Sequence, residues 1–251
     1  MAFKTTVLLF LLLIAKGVYS NDPEQEIGLT DSEKLWLQNN PEIRVGIDPN
    51  YAPIEMSIEG LHSGLTGDYL SLLGQKLGVT FSLMHHENWT NSLNNVLSKN
   101  ADLVPAIQVT PERQKVLNFT QPYIFLDTAI ITRVENLASE ELTIDDLNGK
   151  TVASVEGYFW TELLPQDYPE IKLIEVPSLA AGLLLVSSGE VDSMFATYAT
   201  AAHYIREQRI SNLRVSGLTP YKIEYAMGIR SDWIEFSAIL NKALNLSLIH
   251  I

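Results

Sequence analysis

Apolar and polar positions follow two rhythms along the chain, and the rhythms alternate. Ile43, Val45 and Ile47 recur at every second position, the period of a half-buried strand. Tyr69, Leu70, Leu73 and Leu77 recur at helical spacing, and Gly78 supplies a C-terminal stop. The same reading predicts a strand over 79–83, a helix over 89–98 and a buried strand through Leu103, Val104, Ala106 and Ile107. Before these, Thr30-Asp31-Ser32-Glu33 has the spacing of a capping box, which opens a short helix through Leu35, Trp36 and Leu37 that ends near Pro41. Asp48-Pro49-Asn50 breaks the first strand, Tyr51-Ala52-Pro53 continues as a loop, and Gly60, Gly64 and Gly67 punctuate a hairpin-like turn. An apolar extended run over 128–132 is followed by the Asn148-Gly149 turn. Strands over 151–155, 171–176 and 191–195 then alternate with helices over 158–164, 178–188 and 198–208. Such alternation predicts an α/β fold with a largely parallel sheet. The pattern of the first half recurs after residue 128 without a sequence repeat, so two similar α/β lobes are expected.

One junction stands out for chemistry. The strand through Ile107 stops at Thr110-Pro111-Glu112-Arg113, where Thr110 is placed as an N-cap and Pro111 as the first helical residue. A strand-to-helix junction of this kind aims free backbone N–H groups outward beside the fixed cation of Arg113, an arrangement suited to an anion. Gln121-Pro122 then predicts an extended exit over 119–123.

The totals narrow the classes. A chain of 251 residues, 46% hydrophobic, can bury a substantial core in one large domain or two lobes. A formal net charge of −13 argues against a nucleic-acid partner. Cysteine is absent, which removes a disulfide framework and a thiolate metal site. Lys4, the apolar run over 7–15 and the small Ser20 before Asn21-Asp22-Pro23 have the layout of a secretory signal peptide. The run is shorter than the about 20 residues of a membrane span. The expected mature chain begins near Asn21, outside the cytoplasm, with a polar, acidic linker and the lead-in helix filling 21–40.

Seven phrases carry a resemblance. IRVGIDPNYAPIEM (43–56), GLTGDYLSLLGQKLG (64–78), ADLVPAIQVTPER (101–113), FTQPY (119–123), LNGKTVASVEGY (147–158), SGEVDS (188–193) and YAMGIRSDW (225–233) stand in the order found in extracytoplasmic solute-binding proteins of family 3. The chain resembles these two-lobed flytrap domains over nearly all of 30–245. It looks most like the sensory flytraps fused to membrane histidine kinases or diguanylate cyclases, whose lead-in LTDSEKLWLQNNPEIRVGID resembles. The resemblance implies a type II periplasmic-binding-protein architecture, each lobe a mostly parallel sheet flanked by helices. Lobe 1 is expected over 41–124 and again over 224–245, and lobe 2 over 125–223 with the hinge crossings near 124–127 and 219–223. It implies lobe closure on a small, anionic or amino-acid-like ligand, no cofactor, and no catalysis by the chain as given. Implied partners are a small molecule and a membrane, by tether or by docking to a membrane protein, with a homodimer if the chain belongs to a receptor. A free binding protein of an ABC transporter and the regulatory module of a membrane-bound lytic transglycosylase are the alternatives.

Family roles carry over residue by residue. The arginine matching Arg113 holds a ligand α-carboxylate in amino-acid-binding members, a bidentate geometry that only a guanidinium offers. Read from the residues alone, Arg113 is equally a solvated residue paired with Glu112 or Asp102; the surrounding motif tips the reading to ligand contact. A family threonine is replaced by Gln108, still donor and acceptor, and Thr110 completes that wall. At the start of the lobe-2 helix the usual Gly-Thr or Gly-Ser is Gly157-Tyr158, and the aspartate that binds the α-ammonium falls at Thr197, whose hydroxyl cannot replace the charge. Glu156 could restore it, or simply stabilise the helix dipole. Tyr51 either walls the cleft or packs on the core, and of Tyr158, Phe159 and Trp160 one is expected in the cleft and two in the core. Asp102 reads as a structural residue at the strand entrance. Adjacent His85 and His86 point to opposite faces of a strand and do not share a metal. No nucleophile elbow, phosphate loop or HExxH is present, and no carboxylate pair has a spacing that singles out acid–base work. Finally, Leu246–Ile251 reads LSLIHI, the translation of a transposon-derived sequencing adapter (CTGTCTCTTATACACATC). Those six residues are expected to be foreign to a longer natural chain.

Overall fold

The computed structural model describes residues 27–135 and 141–248. The expected signal peptide, most of the linker after it and the last three residues lie outside the described residues. The order of elements is α1 (Asp31–Asn39), β1 (Glu42–Val45), β2 (Asn50–Tyr51), β3 (Glu55–Ile58), β4 (Leu61–Ser63), α2 (Leu65–Leu77), β5 (Thr80–Leu83), α3 (Trp89–Leu97), β6 (Leu103–Gln108), α4 (Pro111–Gln114), β7 (Leu117–Phe119) and β8 (Ile124–Arg133). A 3₁₀ turn (Asp145–Leu147) leads to β9 (Thr151–Val155), α5 (Phe159–Asp167), β10 (Lys172–Val176), α6 (Leu179–Ser188), β11 (Ser193–Thr197), α7 (Tyr198–Glu207), β12 (Leu213–Arg230) and α8 (Ile234–Leu248).

Local chemistry sets most of these boundaries. Thr30 and Glu33 form a reciprocal capping box at α1. Gly78 ends α2 in the left-handed conformation, at φ 69°, and Gly189 does the same for α6, at φ 87°. Asn88, Ser178 and Thr197 each cap the helix that follows with a side-chain oxygen. The first strand is shorter than the alternation predicts: it stops at Val45, while Ile47 stays buried in the turn beyond. The helix at Thr110-Pro111 is only four residues long, because the chain turns back at once to pair β7 with β12.

The sheet is continuous, with strand order β10-β9-β11-β8-β12-β6-β1-β5, and β7 on β12. Each end is parallel, β1 with β5 and β6, and β9 with β10 and β11. The centre is antiparallel, because β8 and β12 run side by side from one lobe into the other. Ile124–Asp127 pair with Tyr225–Lys222, and Ala129–Arg133 pair with Leu218–Leu213, with a register shift between the two blocks. At that shift the Thr128 hydroxyl meets the Thr219 hydroxyl and donates to the Tyr221 carbonyl. The register shift thus falls where the two strands pass between the lobes, the stretch expected from the sequence to hold the hinge crossings.

Apolar burial is divided in the same way. One cluster gathers Ile43, Leu73, Leu103, Tyr123, Met227, Phe236 and Leu240. Two others gather Ile131, Leu183 and Met194, and Ile130, Trp160 and Phe195. The lead-in helix is fastened to α8, Trp36 stacking on Phe236 at 5.0 Å and Lys242 bonding Glu33 at 2.7 Å. Asp102 is structural: it accepts from the Arg44 backbone and guanidinium and from Arg230, fastening the start of β6 between β1 and β12.

Candidate functional site

The site lies where the turns that end β1, β6, β9 and β11 converge between the lobes. From lobe 1, the turn after β1 delivers Asp48, whose carboxylate accepts the Asn50 N–H at 2.9 Å and so closes its own turn. The Asp48 N–H in turn donates to Glu55 at 2.9 Å. Both side chains are buried, Asp48 at 4% exposure and Glu55 at 1%. Burial raises the Asp48 carboxyl above its ordinary range, with the Tyr158 hydroxyl opposing the shift, and raises that of Glu55 well above its own. Burial thus holds both carboxyls toward their neutral forms, and a cation docked against them would favour the ionised ones.

The end of β6 delivers Arg113. Thr110 accepts the Arg113 backbone N–H at 3.3 Å, as an N-cap should, and this sets the first turn from which the guanidinium projects. The guanidinium is 7% exposed and donates to the Gln108 carbonyl at 3.0 Å and the Gly157 carbonyl at 2.9 Å. It also pairs with Glu162 of α5 at 2.7 Å, across the cleft. Burial draws its proton affinity down, and Glu162 works against that shift. Its Nε–H is buried without a partner, a spare donor beside the cavity.

From lobe 2, Gly157 adopts φ 74°, a backbone state that needs glycine, and a Cβ there would sit 3.3 Å from Trp89. This close turn lets Trp89 Nε1 donate to the Gly157 carbonyl at 2.9 Å. It also throws Tyr158 into the cleft, where its hydroxyl donates to Asp48 at 2.5 Å. Tyr51 meets the Tyr158 ring edge-on at 5.7 Å and the Tyr225 ring at 6.0 Å. Tyr225 donates to the Tyr51 hydroxyl at 2.8 Å, and Tyr51 reaches Thr197 at 3.4 Å. Burial pushes the Tyr51 phenol up to about 12 and those of Tyr158 and Tyr225 well above their ordinary value, so all three are neutral hydrogen-bonding groups at physiological pH.

The space left among these groups is about 40 Å³. A water occupies about 30 Å³ of liquid, and small-molecule pockets run from about 300 Å³. The cleft is therefore closed and filled by the protein's own side chains.

Of the residues expected from the sequence, Arg113, Gln108, Tyr51, Tyr158 and Thr197 line this cavity. Gln108 offers its carbonyl to Arg113 and spends its side-chain oxygen on the Glu224 N–H in β12. Thr110 acts on the site through the cap, and Gly157 through its carbonyl. The Glu156 side chain is exposed, and its carbonyl accepts from Thr90 at 3.4 Å. Where one of Tyr158, Phe159 and Trp160 is expected in the cleft, all three line the cavity; Trp160 is also buried in the lobe-2 core, and Phe159 packs against both lobes. Sequence reasoning missed Asp48, Glu55, Trp89, Glu162 and Tyr225. In the sequence Asp48 stands out only as a strand breaker, although a carboxylate directly after the first strand, inside the IRVGIDPNYAPIEM phrase, is the available signal. Glu162 carries no signal, since a carboxylate in a helix first turn is ordinary.

Known proteins share this geometry or its sequence. The sequence profile of the bacterial extracellular solute-binding proteins, family 3, matches residues 43–246. The virulence sensor protein BvgS of Bordetella bronchiseptica is 28% identical over 214 residues, which are 84% of this chain and 17% of BvgS. The ABC transporter arginine-binding protein 1 of Escherichia coli is 22% identical over 65% of this chain and 66% of its own length. Among solved structures, the BvgS VFT2 domain of Bordetella pertussis superposes with a TM-score of 0.76 at 25% identity, covering 88% of this chain and 96% of that one. A histidine kinase sensor domain with similarity to periplasmic binding proteins also gives 0.76, at 23% identity over 83% of this chain and 91% of its own. The chain thus spans about a sixth of the length of the sensor relatives it matches. No helix among the described residues is long and apolar enough to cross a membrane.

Proposed function

The chain belongs to the bacterial extracellular solute-binding proteins, family 3, and from that premise we propose that it is the periplasmic sensory module of a longer membrane receptor, binding a small zwitterionic solute of the amino-acid class between its lobes. The observation that carries this reading is the pairing of opposite charges in one buried cavity. Arg113 offers a buried guanidinium with an unspent N–H, and Asp48 and Glu55 offer buried carboxyls, with aromatic walls between. A carboxylate suits the first end through charge-assisted hydrogen bonds, and an ammonium or guanidinium suits the second. Tyr51, Tyr225 and Trp89 add aromatic rings whose faces are of the sort that hold cations. The neutral Thr197 is then no obstacle, because the positive charge is met from lobe 1 instead. Lobe 1 is taken as 41–124 with 224–245 and lobe 2 as 125–223, with β8 and β12 as the moving hinge.

The short span of the sensor relatives favours a module over a whole protein. The match to arginine-binding proteins over two thirds of their length supports a second reading, a free binding protein for a transporter. The length of the natural gene separates the two: a coding region running on into a membrane span and a kinase or cyclase supports the receptor. A thermal-shift screen tests the ligand class. Zwitterionic amino acids, basic ones included, are expected to raise the unfolding temperature more than simple carboxylates or simple amines of equal length. A larger shift with dicarboxylates than with any zwitterion would overturn the assignment of Asp48 and Glu55.

A further inference from the structure

Arg113 is the expected anchor for a ligand carboxylate, yet a carboxylate already sits on it. Glu162 stands in the first turn of α5 in lobe 2 and reaches across the cleft to the Arg113 guanidinium at 2.7 Å. Four residues earlier on the same lobe, Tyr158 reaches Asp48, the other charged end of the cavity, at 2.5 Å. Between them the Gly157 carbonyl accepts from both Arg113 and Trp89, at 2.9 Å each. A single six-residue stretch of lobe 2 thus meets both ends of the cavity in lobe 1 and leaves about 40 Å³ free. The Glu162 side chain is one-third exposed, so it can leave toward solvent without unfolding the core around it.

We propose that this stretch is a tethered occupant of the site: Glu162 stands in for the carboxylate and Tyr158 for the donor group of a solute, and together they latch the lobes closed without ligand. A soluble ligand then competes with the latch instead of pulling open lobes together, and its apparent affinity is reduced by the fraction of molecules in which the latch is shut. The competition rests on the proposed ligand site, whereas the latch itself can be measured with no ligand at all.

The test is small-angle scattering of the folded chain, with acetate as a free carboxylate probe. A closed molecule of the about 215 described residues has a radius of gyration near 17 Å, to within about 1 Å. The wild type is expected to be compact and indifferent to acetate. Glu162→Ala is expected to scatter as a more open molecule, and millimolar acetate to return it to the wild-type profile while raising its melting temperature by several degrees. Should Glu162→Ala fail to fold, judged by circular dichroism, Glu162→Gln keeps the shape, removes the charge and is expected to open as well, without the acetate response. Equal compactness of wild type and the folded variants, with no acetate effect on Glu162→Ala, would overturn the latch. That result would leave the solute screen standing, and a silent solute screen would leave the latch standing.

Discussion

Glu55 and Asp102 show how differently two buried carboxylates serve the same lobe. Burial lifts the Glu55 carboxyl well above its ordinary 4.5, so the folded chain binds that proton more tightly than the unfolded one. Its contribution to stability is complete below the ordinary value and is lost as pH rises through the raised one. Glu55→Gln should therefore flatten the fall in melting temperature from pH 4.5 upward, relative to wild type. Parallel curves for the two proteins would place the titration elsewhere. Asp102 instead spends both oxygens on Arg44 and Arg230. Asp102→Ala takes this acceptor from the Arg44 N–H and from two guanidinium groups that water and Asp232 still reach, and should cost about 1–3 kcal/mol, read from the urea midpoint at pH 7. At this scale the sequence spoke through motifs. Arg113 was legible because a proline and a capping threonine fix the turn it leaves from. Glu162 was silent, because only the folded chain brings α5 opposite that turn.

Among the elements, short turns place the chemistry and long strands place the turns. Gly157 is the most exacting, with positive φ, a tryptophan packed on its face and a carbonyl shared by two donors. Gly157→Ala should destabilise the chain by about 1–2 kcal/mol through backbone strain and displacement of Trp89. A tryptophan fluorescence spectrum unchanged from wild type would contradict the displacement. Helices and most strands were legible because each buries one face, and several helices carry their own cap, as α6 does at Ser178 and Gly189. β12 was not. Its eighteen residues change register after Val215, after Leu218 and after Ala226, and each shift interrupts the two-residue period on which strand recognition rests. The shifts are what let one strand serve both lobes.

For the whole molecule, the same two strands that join the lobes are the proposed hinge. β8 and β12 stay paired on either side of the threonine contact, and each lobe keeps its own core, so the proposed hinge would turn at Thr128 and Thr219. The two-lobed α/β architecture was legible from alternation and motif order. The closed state was not, because closure depends on distances between residues far apart in sequence, Glu162 to Arg113 and Tyr158 to Asp48. The central claim is that this cleft binds a solute by its two opposite charges. Calorimetric titration of the zwitterion that most stabilises the wild type, repeated with Arg113→Ala and with Asp48→Asn, tests it most directly. Each substitution is expected to weaken binding at least tenfold, about 1.4 kcal/mol or more. Wild-type affinity in either folded variant would contradict it.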